Sequence, residues 1–317
     1  MISLLLAALL QTAAPAGTAQ PVQDPATTEQ PTRLEDIEVA GQPLEQVIRG
    51  FVKEVAAPNR GRNLARWQDS VCVGVANLRP EAAQYITDRV STVAEDLGLR
   101  PGQPGCTANI LVVASAQPSE LAAAMVEERP RAFIVGGSGM DQGRTALRAF
   151  QTTDKPVRWW AVSVPVDAET GQTAVRIPGE CRNACTNVMD AAPVINVDAA
   201  SRLRTQVVDN LNRVVVIVDV NQATKVSALQ LADYIAMVSL AQIDPAADTT
   251  AYSSILNVFD YPTDAESLTD WDISYLKGLY ASERNQRIAG ANRLEVANSI
   301  GRAHSEIKAA REDETEN

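Results

Sequence analysis

One stretch in the last third of the chain constrains the fold more than any other. Residues 226–243 fit a helix, and apolar or small side chains occupy nearly its whole circumference. A helix with so little polar surface is buried at the centre of a protein. Residues 214–218, just before it, are five apolar residues in a row and are typical of a central strand. The sequence therefore predicts a sheet with a buried helix packed against it.

An earlier segment predicts parallel pairing in that sheet. Residues 71–75 and 110–114 are short apolar runs, and Pro80 between them begins a helix with one apolar face. Strand, helix and strand in this order form a βαβ unit. Further strands are expected at 131–135 and 157–166, and short helices at 119–125 and 144–150. We predict an α/β (α+β) fold: a mixed twisted sheet with a βαβ start, a central buried helix and C-terminal helices.

Composition limits the class of protein and its partners. Of the 317 residues, 45% are hydrophobic and 21% charged, which suits a globular domain with a sizeable core. We assign residues 43–282 to a single domain. The net charge of −11 repels phosphate backbones and anionic lipids. Nucleic acid is therefore not an expected partner, and no transmembrane segment is expected.

The first residues predict export. The apolar run at residues 2–10 is too short to span a bilayer, and small residues suited to cleavage after Ala16 or Ala19 follow it. No Lys or Arg precedes the run. We interpret residues 1–19 as a secretory signal peptide and residues 20–42, rich in Pro, Thr, Gln and Ala, as a disordered tether. A periplasmic or secreted location follows from this interpretation.

The four cysteines agree with an oxidising compartment, where an even number indicates disulfides. Cys72 opens the first strand of the βαβ unit and Cys106 precedes the second, so parallel pairing brings them together and predicts a Cys72–Cys106 disulfide. Cys181 and Cys185 predict a small disulfide that staples a loop-rich insertion at 168–196. A metal site at Cys181 and Cys185 is less favoured because two further ligands are lacking nearby.

A helix start is recognisable in the last third of the chain, at residues 268–273. Thr269 and Asp272 form a capping box, and Leu268 and Ile273 form a hydrophobic staple, which together predict a helix to about Tyr280.

Residues 283–317 read as a charged helical tail with a narrow apolar stripe. We expect this tail to lie loosely along the domain or to dock a protein or envelope partner through Val296, Ile300 and Ile307. His304, beside the stripe, is expected to be solvated.

Complete catalytic motifs are absent from the sequence. His304 is the only histidine and lies in the tail, which argues against a His-based nucleophile triad in the core. The segment Gly136-Gly137-Ser138-Gly139 matches neither a phosphate-binding loop nor a nucleophile elbow, and we interpret it as a turn. No cofactor is expected.

The buried helix and the segments after it resemble metzincin peptidases of the matrixin type, which carry HExxHxxGxxH on a buried helix, then a Met-turn and a closing helix. Here residues 232–242 read Ala-Asp-Tyr-Ile-Ala-Met-Val-Ser-Leu-Ala-Gln. Ser254, Ile255 and Leu256 resemble the Met-turn, with Leu256 in place of the methionine, and residues 268–280 resemble the closing helix. The resemblance covers roughly residues 71–282 and implies a metzincin-like fold. The same segments also resemble a group of uncharacterised exported bacterial proteins.

The family's catalytic residues are replaced in this chain. Its zinc-ligand positions fall on Ala232, Ala236 and Gln242, and its general-base position falls on Asp233. Two methyl groups and an amide cannot hold a zinc ion that activates water. The resemblance therefore implies a scaffold without metal and without catalysis, used as a binding or interaction module.

Two alternatives to this function remain open. One is a metal-independent hydrolase that uses carboxylates such as Asp219 and Asp233. The other is an envelope assembly protein that acts through the C-terminal helix.

Overall fold

The computed structural model describes residues 43–135, 139–175, 195 and 201–316. The first half of the described chain contains α1 (Leu44–Val55), β1 (Ser70–Val71), β2 (Val73–Ala76), α2 (Pro80–Asp96), β3 (Arg100–Pro101), β4 (Ile110–Ser115), α3 (Pro118–Glu128) and α4 (Pro130–Phe133). The second half contains α5 (Gly143–Thr152), β5 (Val157–Asp167), β6 (Val207–Asp219), α6 (Ala228–Leu240), α7 (Asp270–Ala281) and α8 (Ala289–Glu316).

The main sheet has the strand order β2-β4-β6-β5, and β1 and β3 form a separate two-stranded parallel pair. Strands β2, β4 and β6 are parallel, whereas β5 runs antiparallel to β6, with Val157 opposite Val218. The βαβ start therefore exists as β2-α2-β4, and the predicted mixed α/β class is confirmed. Strand β5 lies at one edge of this sheet.

Helices cover both faces of the sheet. Strand β6 shows why, because its apolar side chains alternate between two cores. Val214, Val216 and Val218 belong to the core that contains α1, α2, α6, α7 and α8. Val215 and Ile217 belong to the second core, formed with α3, α4 and α5. The buried helix α6 lies in the first core, as its sequence predicts.

Two sequence predictions about local structure need correction. Residues 131–135 were expected to form a strand, but Pro130–Phe133 is a short helix. Proline at its first position fixes the φ angle that a helix start requires. Strand β6 begins at Val207, well before the predicted residue 214, because polar side chains interrupt its first half. One of these, Asp209, is buried and forms an ion pair with Arg62 at 2.7 Å.

The Cys72–Cys106 disulfide is confirmed, with the two Cα atoms 6.2 Å apart. Cys72 lies between β1 and β2, and its backbone carbonyl accepts hydrogen bonds from the amides of Asn109 and Ile110 at the start of β4. The predicted Cys181–Cys185 pair lies outside the described residues, as do the predicted signal peptide and tether.

The C-terminal helix α8 is charged, as predicted, but it is not loosely attached. Val296 and Ile300 are 1% and 0% exposed and belong to the main core, while Ile307 is half-buried. The apolar stripe is narrow, yet it suffices to hold α8 against the core because α7 approaches very closely. A Cβ atom added at Gly278 of α7 would lie 2.5 Å from the Cα atom of Ile300. The domain therefore extends past residue 282.

His304 was expected to be solvated, but it is buried. It is 8% exposed, its ring stacks on Trp271 with centroids 5.1 Å apart, and its Nδ1 lies 3.2 Å from the Ser274 hydroxyl. This histidine joins α8 to α7.

Among the helices of the described segments, none combines the length and the apolar composition that a bilayer crossing requires.

Candidate functional site

Helix α6 carries the positions at which the sequence comparison places a lost zinc site. It begins with a capping box in which Ser227 and Gln230 each hydrogen-bond the other's backbone amide. Ala232, Asp233 and Ala236 are all 0% exposed. The two alanine methyl groups pack in the main core. These positions are therefore parts of the packed interior.

Asp233 is held by two other segments of the chain. Arg89 of α2 donates from Nε to Oδ1 at 2.5 Å and from Nη2 to Oδ2 at 3.1 Å, and the backbone amide of Leu268 donates to Oδ2 at 2.9 Å. The hydrogen bond to Asp233 is the main reason why the pKa of Arg89 is raised. This carboxylate fixes α6 to α2 and to the start of α7. Both of its oxygens already accept hydrogen bonds.

Gln242, at the third ligand position, differs from the two alanines. It is 2% exposed, and its Oε1 accepts a hydrogen bond from the backbone amide of Ala65 at 2.9 Å. Its Nε2 has no hydrogen-bond partner among the described residues. Gln242 also lines a cavity, whereas Ala232, Asp233 and Ala236 do not line that cavity. An unpaired buried donor is costly, so this amide is available to an acceptor.

The Met-turn-like segment is tied to α7 by one buried carboxylate. Ile255–Asn257 is a 3-10 helix, and Asp272 of α7 accepts hydrogen bonds from the Ser254 hydroxyl at 2.6 Å and from the Ile255 amide at 2.8 Å. Asp272 also accepts from the amide and hydroxyl of Thr269, which completes the predicted capping box. Burial outweighs these hydrogen bonds and raises the pKa of Asp272. Leu256, in place of the methionine, is half-buried.

The structure thus brings α6, the Ser254–Leu256 turn and α7 together, but it assembles no metal ligands there. In the described part of the chain, no group of three or more His, Cys, Asp or Glu side chains is placed to hold a metal ion. Asp219, the other carboxylate considered for catalysis, lies at the end of β6 and accepts hydrogen bonds from the Asn221 amide and from Gln222.

A largely apolar cavity lies elsewhere, beside strand β5. It has a volume of about 310 Å³ and forms a groove between α5 and residues 242–246. We call it the β5 groove. Its walls are mainly alanine, aromatic and aliphatic side chains, with Gln242 and Arg158 as buried polar groups. They include Ala146, Ala149 and Phe150 of α5, Val157, Trp159, Trp160 and Ala161 of β5, and Ile243.

The backbone of β5 faces this groove. The Asp219 amide donates to the Pro156 carbonyl, so this opposed pair is hydrogen-bonded. Opposed pairs in an antiparallel ladder alternate between bonded and non-bonded. Val157, Trp159 and Ala161 therefore turn their N–H and C=O groups away from β6, and all three residues line the groove. Within the described residues these backbone groups make no further hydrogen bond.

The remainder of the edge is covered. The Ser163 amide donates to the Met140 carbonyl, and residues 172–174 hydrogen-bond with Pro165 and Asp167. The open edge is thus confined to the part of β5 that borders the groove.

The groove carries little signal in the sequence. One signal was present: Pro165 interrupts the apolar run at 157–166, and proline within a strand marks an edge. The residues from α5 and from 242–246 carry no comparable signal, because only the tertiary fold brings them to β5.

Comparisons of the chain with protein-family models, with curated proteins and with solved structures found no match. The resemblance to metzincins therefore stays a prediction, which rests on the residues of α6 and of the segments that follow it.

Proposed function

We propose that this protein is a non-catalytic binding module whose β5 groove holds an extended peptide segment. The observation that carries the proposal is the row of unpaired backbone groups at Val157, Trp159 and Ala161 along an apolar groove. An extended peptide adds itself to an exposed sheet edge through main-chain hydrogen bonds, and side-chain pockets select its sequence. The groove offers both kinds of contact.

The unpaired amide of Gln242 supports the same function. A peptide has a carbonyl at every residue, and Gln242 is the buried groove residue whose Nε2 lacks an acceptor among the described residues. Unpaired backbone groups of β5 carry the same cost when water is excluded. A peptide in the groove would satisfy both.

We propose further that the scaffold is metzincin-like and that its zinc chemistry has been lost. The support is local: Ala232 and Ala236 are buried methyl groups, and Asp233 is held by Arg89 and Leu268. Purified protein is expected to contain only substoichiometric zinc and to show no chelator-sensitive peptidase activity. Elemental analysis that finds one equivalent of zinc, lost in Asp233→Ala, would contradict this.

The two alternative functions have less support. Asp219 and Asp233 do not line the β5 groove, so a carboxylate-based hydrolase lacks a shared site there. An assembly role of the C-terminal helix requires Val296 and Ile300 as anchors, but both are buried in the domain's own core.

An extracytoplasmic location is part of the proposal. The apolar run at residues 2–10 and the small residues before Ala16 and Ala19 support cleavage by signal peptidase. The Cys72–Cys106 disulfide suits an oxidising compartment. N-terminal sequencing of the protein from its native host tests this, and a mature chain that still begins at Met1 would contradict it.

A displayed library of random heptapeptides tests the groove directly. Selection on the purified protein is expected to enrich β-branched and aromatic residues, which favour extended backbone. Ala149→Trp fills the groove from the exposed side of α5 and should weaken the selected peptides at least about tenfold, because it removes the space they occupy.

Arg148→Trp is the matched control. It places the same side chain on the same helix at an exposed position that does not line the groove, so binding should be unchanged. A library that yields no binder, or equal losses in both variants, argues against the proposal.

A further inference from the structure

A second cavity adjoins the β5 groove near the start of the strand. Its volume is about 410 Å³, and it lies between residues 154–156, the loop at 244–250 and residues 256–260. The two cavities share Lys155, Trp159, Ile243, Asp244 and Pro245 as lining residues. The two cavities are therefore neighbours on either side of these residues, and we call the second one the terminal pocket.

Three aromatic rings line the terminal pocket. Tyr234 contacts Trp159 with ring centroids 6.1 Å apart at 73°, and it contacts Phe259 at 5.1 Å and 72°. These edge-to-face contacts hold the three rings together at the pocket. Aromatic walls of this kind attract organic cations, because each ring carries negative charge density on its face.

Carboxylates surround these rings. Asp154, Asp244, Asp248 and Asp260 line the pocket together with Lys155 and Lys225. Most of the acidic side chains have partners: Asp154 accepts from Gln222, Asp244 from the Ala246 amide, and Asp248 from Thr250. The Lys155 ammonium donates to the carbonyl of Pro245.

Three side chains of the pocket remain without a partner among the described residues: Lys225, which is exposed, Tyr234 and Asp260. The Tyr234 side chain is 7% exposed, and neither its hydroxyl nor the carboxylate of Asp260 makes a hydrogen bond or an ion pair there. Burial, followed by the nearby charge of Asp260, raises the pKa of Tyr234, so the hydroxyl stays neutral and the carboxylate supplies the charge.

We propose that the terminal pocket binds an alkylammonium group, supplied by a lysine side chain of the same peptide that lies in the β5 groove. This inference rests on the proposed peptide-binding function. A small metal ion is a poorer occupant, because it requires several oxygen ligands, and the described residues hold no such cluster. An alkylammonium group instead places its methylene or methyl groups against the rings and its charge near Asp260.

The pocket can be tested without any peptide. Calorimetry on the full chain compares choline with dimethylbutanol, its uncharged isostere. Choline should bind at least about fivefold more tightly, because the aromatic walls and Asp260 distinguish charge at constant shape.

Asp260→Asn and Phe259→Leu should each remove most of that preference, and Asp264→Asn, an exposed carboxylate that does not line the pocket, should leave it unchanged. Equal binding of choline and its isostere overturns the inference.

The peptide selection connects the pocket to the groove. Heptapeptides selected on the wild-type protein should carry Lys at one position, and selection on Asp260→Asn should lose that preference. Enriched peptides without a basic residue overturn this inference but leave the groove proposal intact. If choline is preferred but no peptide is enriched, the peptide proposal fails, and the pocket is assigned to a free amine instead.

Discussion

Polar groups are paired in the interior around α6, but they are left unpaired along the outer edge of β5. Within α6, Asp233 and Gln230 are buried, and their side chains hydrogen-bond to neighbouring segments. Along β5, Val157, Trp159 and Ala161 leave backbone groups unpaired beside an apolar groove. Polar groups that satisfy one another hold a fold together, whereas those left unpaired in a cavity are available to a ligand. The region that resembles a catalytic site thus has its polar groups paired internally, and the less conspicuous edge is the candidate binding site.

The C-terminal helix is the largest test of the structural half of this comparison. Truncation after Ser282 removes Val296 and Ile300, each worth about 1.5–3 kcal/mol of burial, and it exposes the faces of α1 and α7 beneath them. Because native domains are stable by only about 5–15 kcal/mol, the truncated chain should not unfold cooperatively. Thermal unfolding followed by circular dichroism measures this.

Truncation after Lys308 is the control for truncation after Ser282. Residues 309–313, which this shorter truncation removes, are exposed, so the protein should remain folded. A folded, monomeric chain that ends at Ser282 would show that the domain does not need α8 in order to fold.

The ion pair of Asp233 is the next test. Asp233→Ala leaves Arg89 and the Leu268 amide without their acceptor and should cost about 3 kcal/mol in the free energy of unfolding. Glu45→Ala removes a surface ion pair with Arg49, whose side chains are 66% and 52% exposed, and should cost under about 0.5 kcal/mol. Urea unfolding compares the two. Peptide affinity should survive Asp233→Ala, and its selective loss at full stability would assign Asp233 to the binding site.

The close approach of α7 and α8 predicts a smaller, local effect. Gly278→Ala places a methyl group 2.5 Å from the backbone of Ile300 and should cost about 1–3 kcal/mol through overpacking. Gly290→Ala adds the same methyl group near the start of α8, where no atom lies within 4 Å, and should be neutral or slightly stabilising. Equal urea midpoints for the two variants would mean that the helices are less tightly packed.

These residues also indicate how far the sequence alone determines the molecule. The βαβ unit, α6, the Cys72–Cys106 disulfide and the Thr269 capping box carry local patterns, and their elements follow from those patterns. The tight packing of α8 was not predicted, because a narrow stripe does not reveal which element packs against it and the close contact with Gly278 is not local. The groove was missed because residues distant in sequence form it. The resemblance to metzincins places the candidate site on α6, where Asp233 and Gln230 are already paired.

Asp272 tests whether the buried network responds to pH. Burial raises its pKa above the ordinary value of 3.8, so the native state binds this proton more tightly than the unfolded state. Stability from this group is therefore present below pH 3.8 and is lost as the pH rises through the native pKa. Asp272→Asn imitates the protonated form and keeps an acceptor for the Ile255 amide.

The variant should therefore gain stability relative to the wild type as the pH rises from about 4, which urea unfolding at a series of pH values measures. Asp264→Asn, an exposed carboxylate, is the control. A constant difference between wild type and Asp272→Asn across that range would show that the carboxylate titrates alike in both states.

The smallest effect on stability is expected at the groove itself. The N–H of Ala161 points away from β6, so Ala161→Pro removes a donor of the open edge without breaking the ladder to β6. We expect a stability change of at most about 1 kcal/mol but at least about tenfold weaker binding of the selected heptapeptides, because one main-chain hydrogen bond is lost and the ring enters the groove.

Trp160→Pro, one residue earlier, is the control: it removes a donor that faces β6 and should cost about 3 kcal/mol or more in the free energy of unfolding. Fluorescence polarisation and urea unfolding on both variants separate binding from folding. Unimpaired binding by a folded Ala161→Pro variant would show that peptides do not pair with β5.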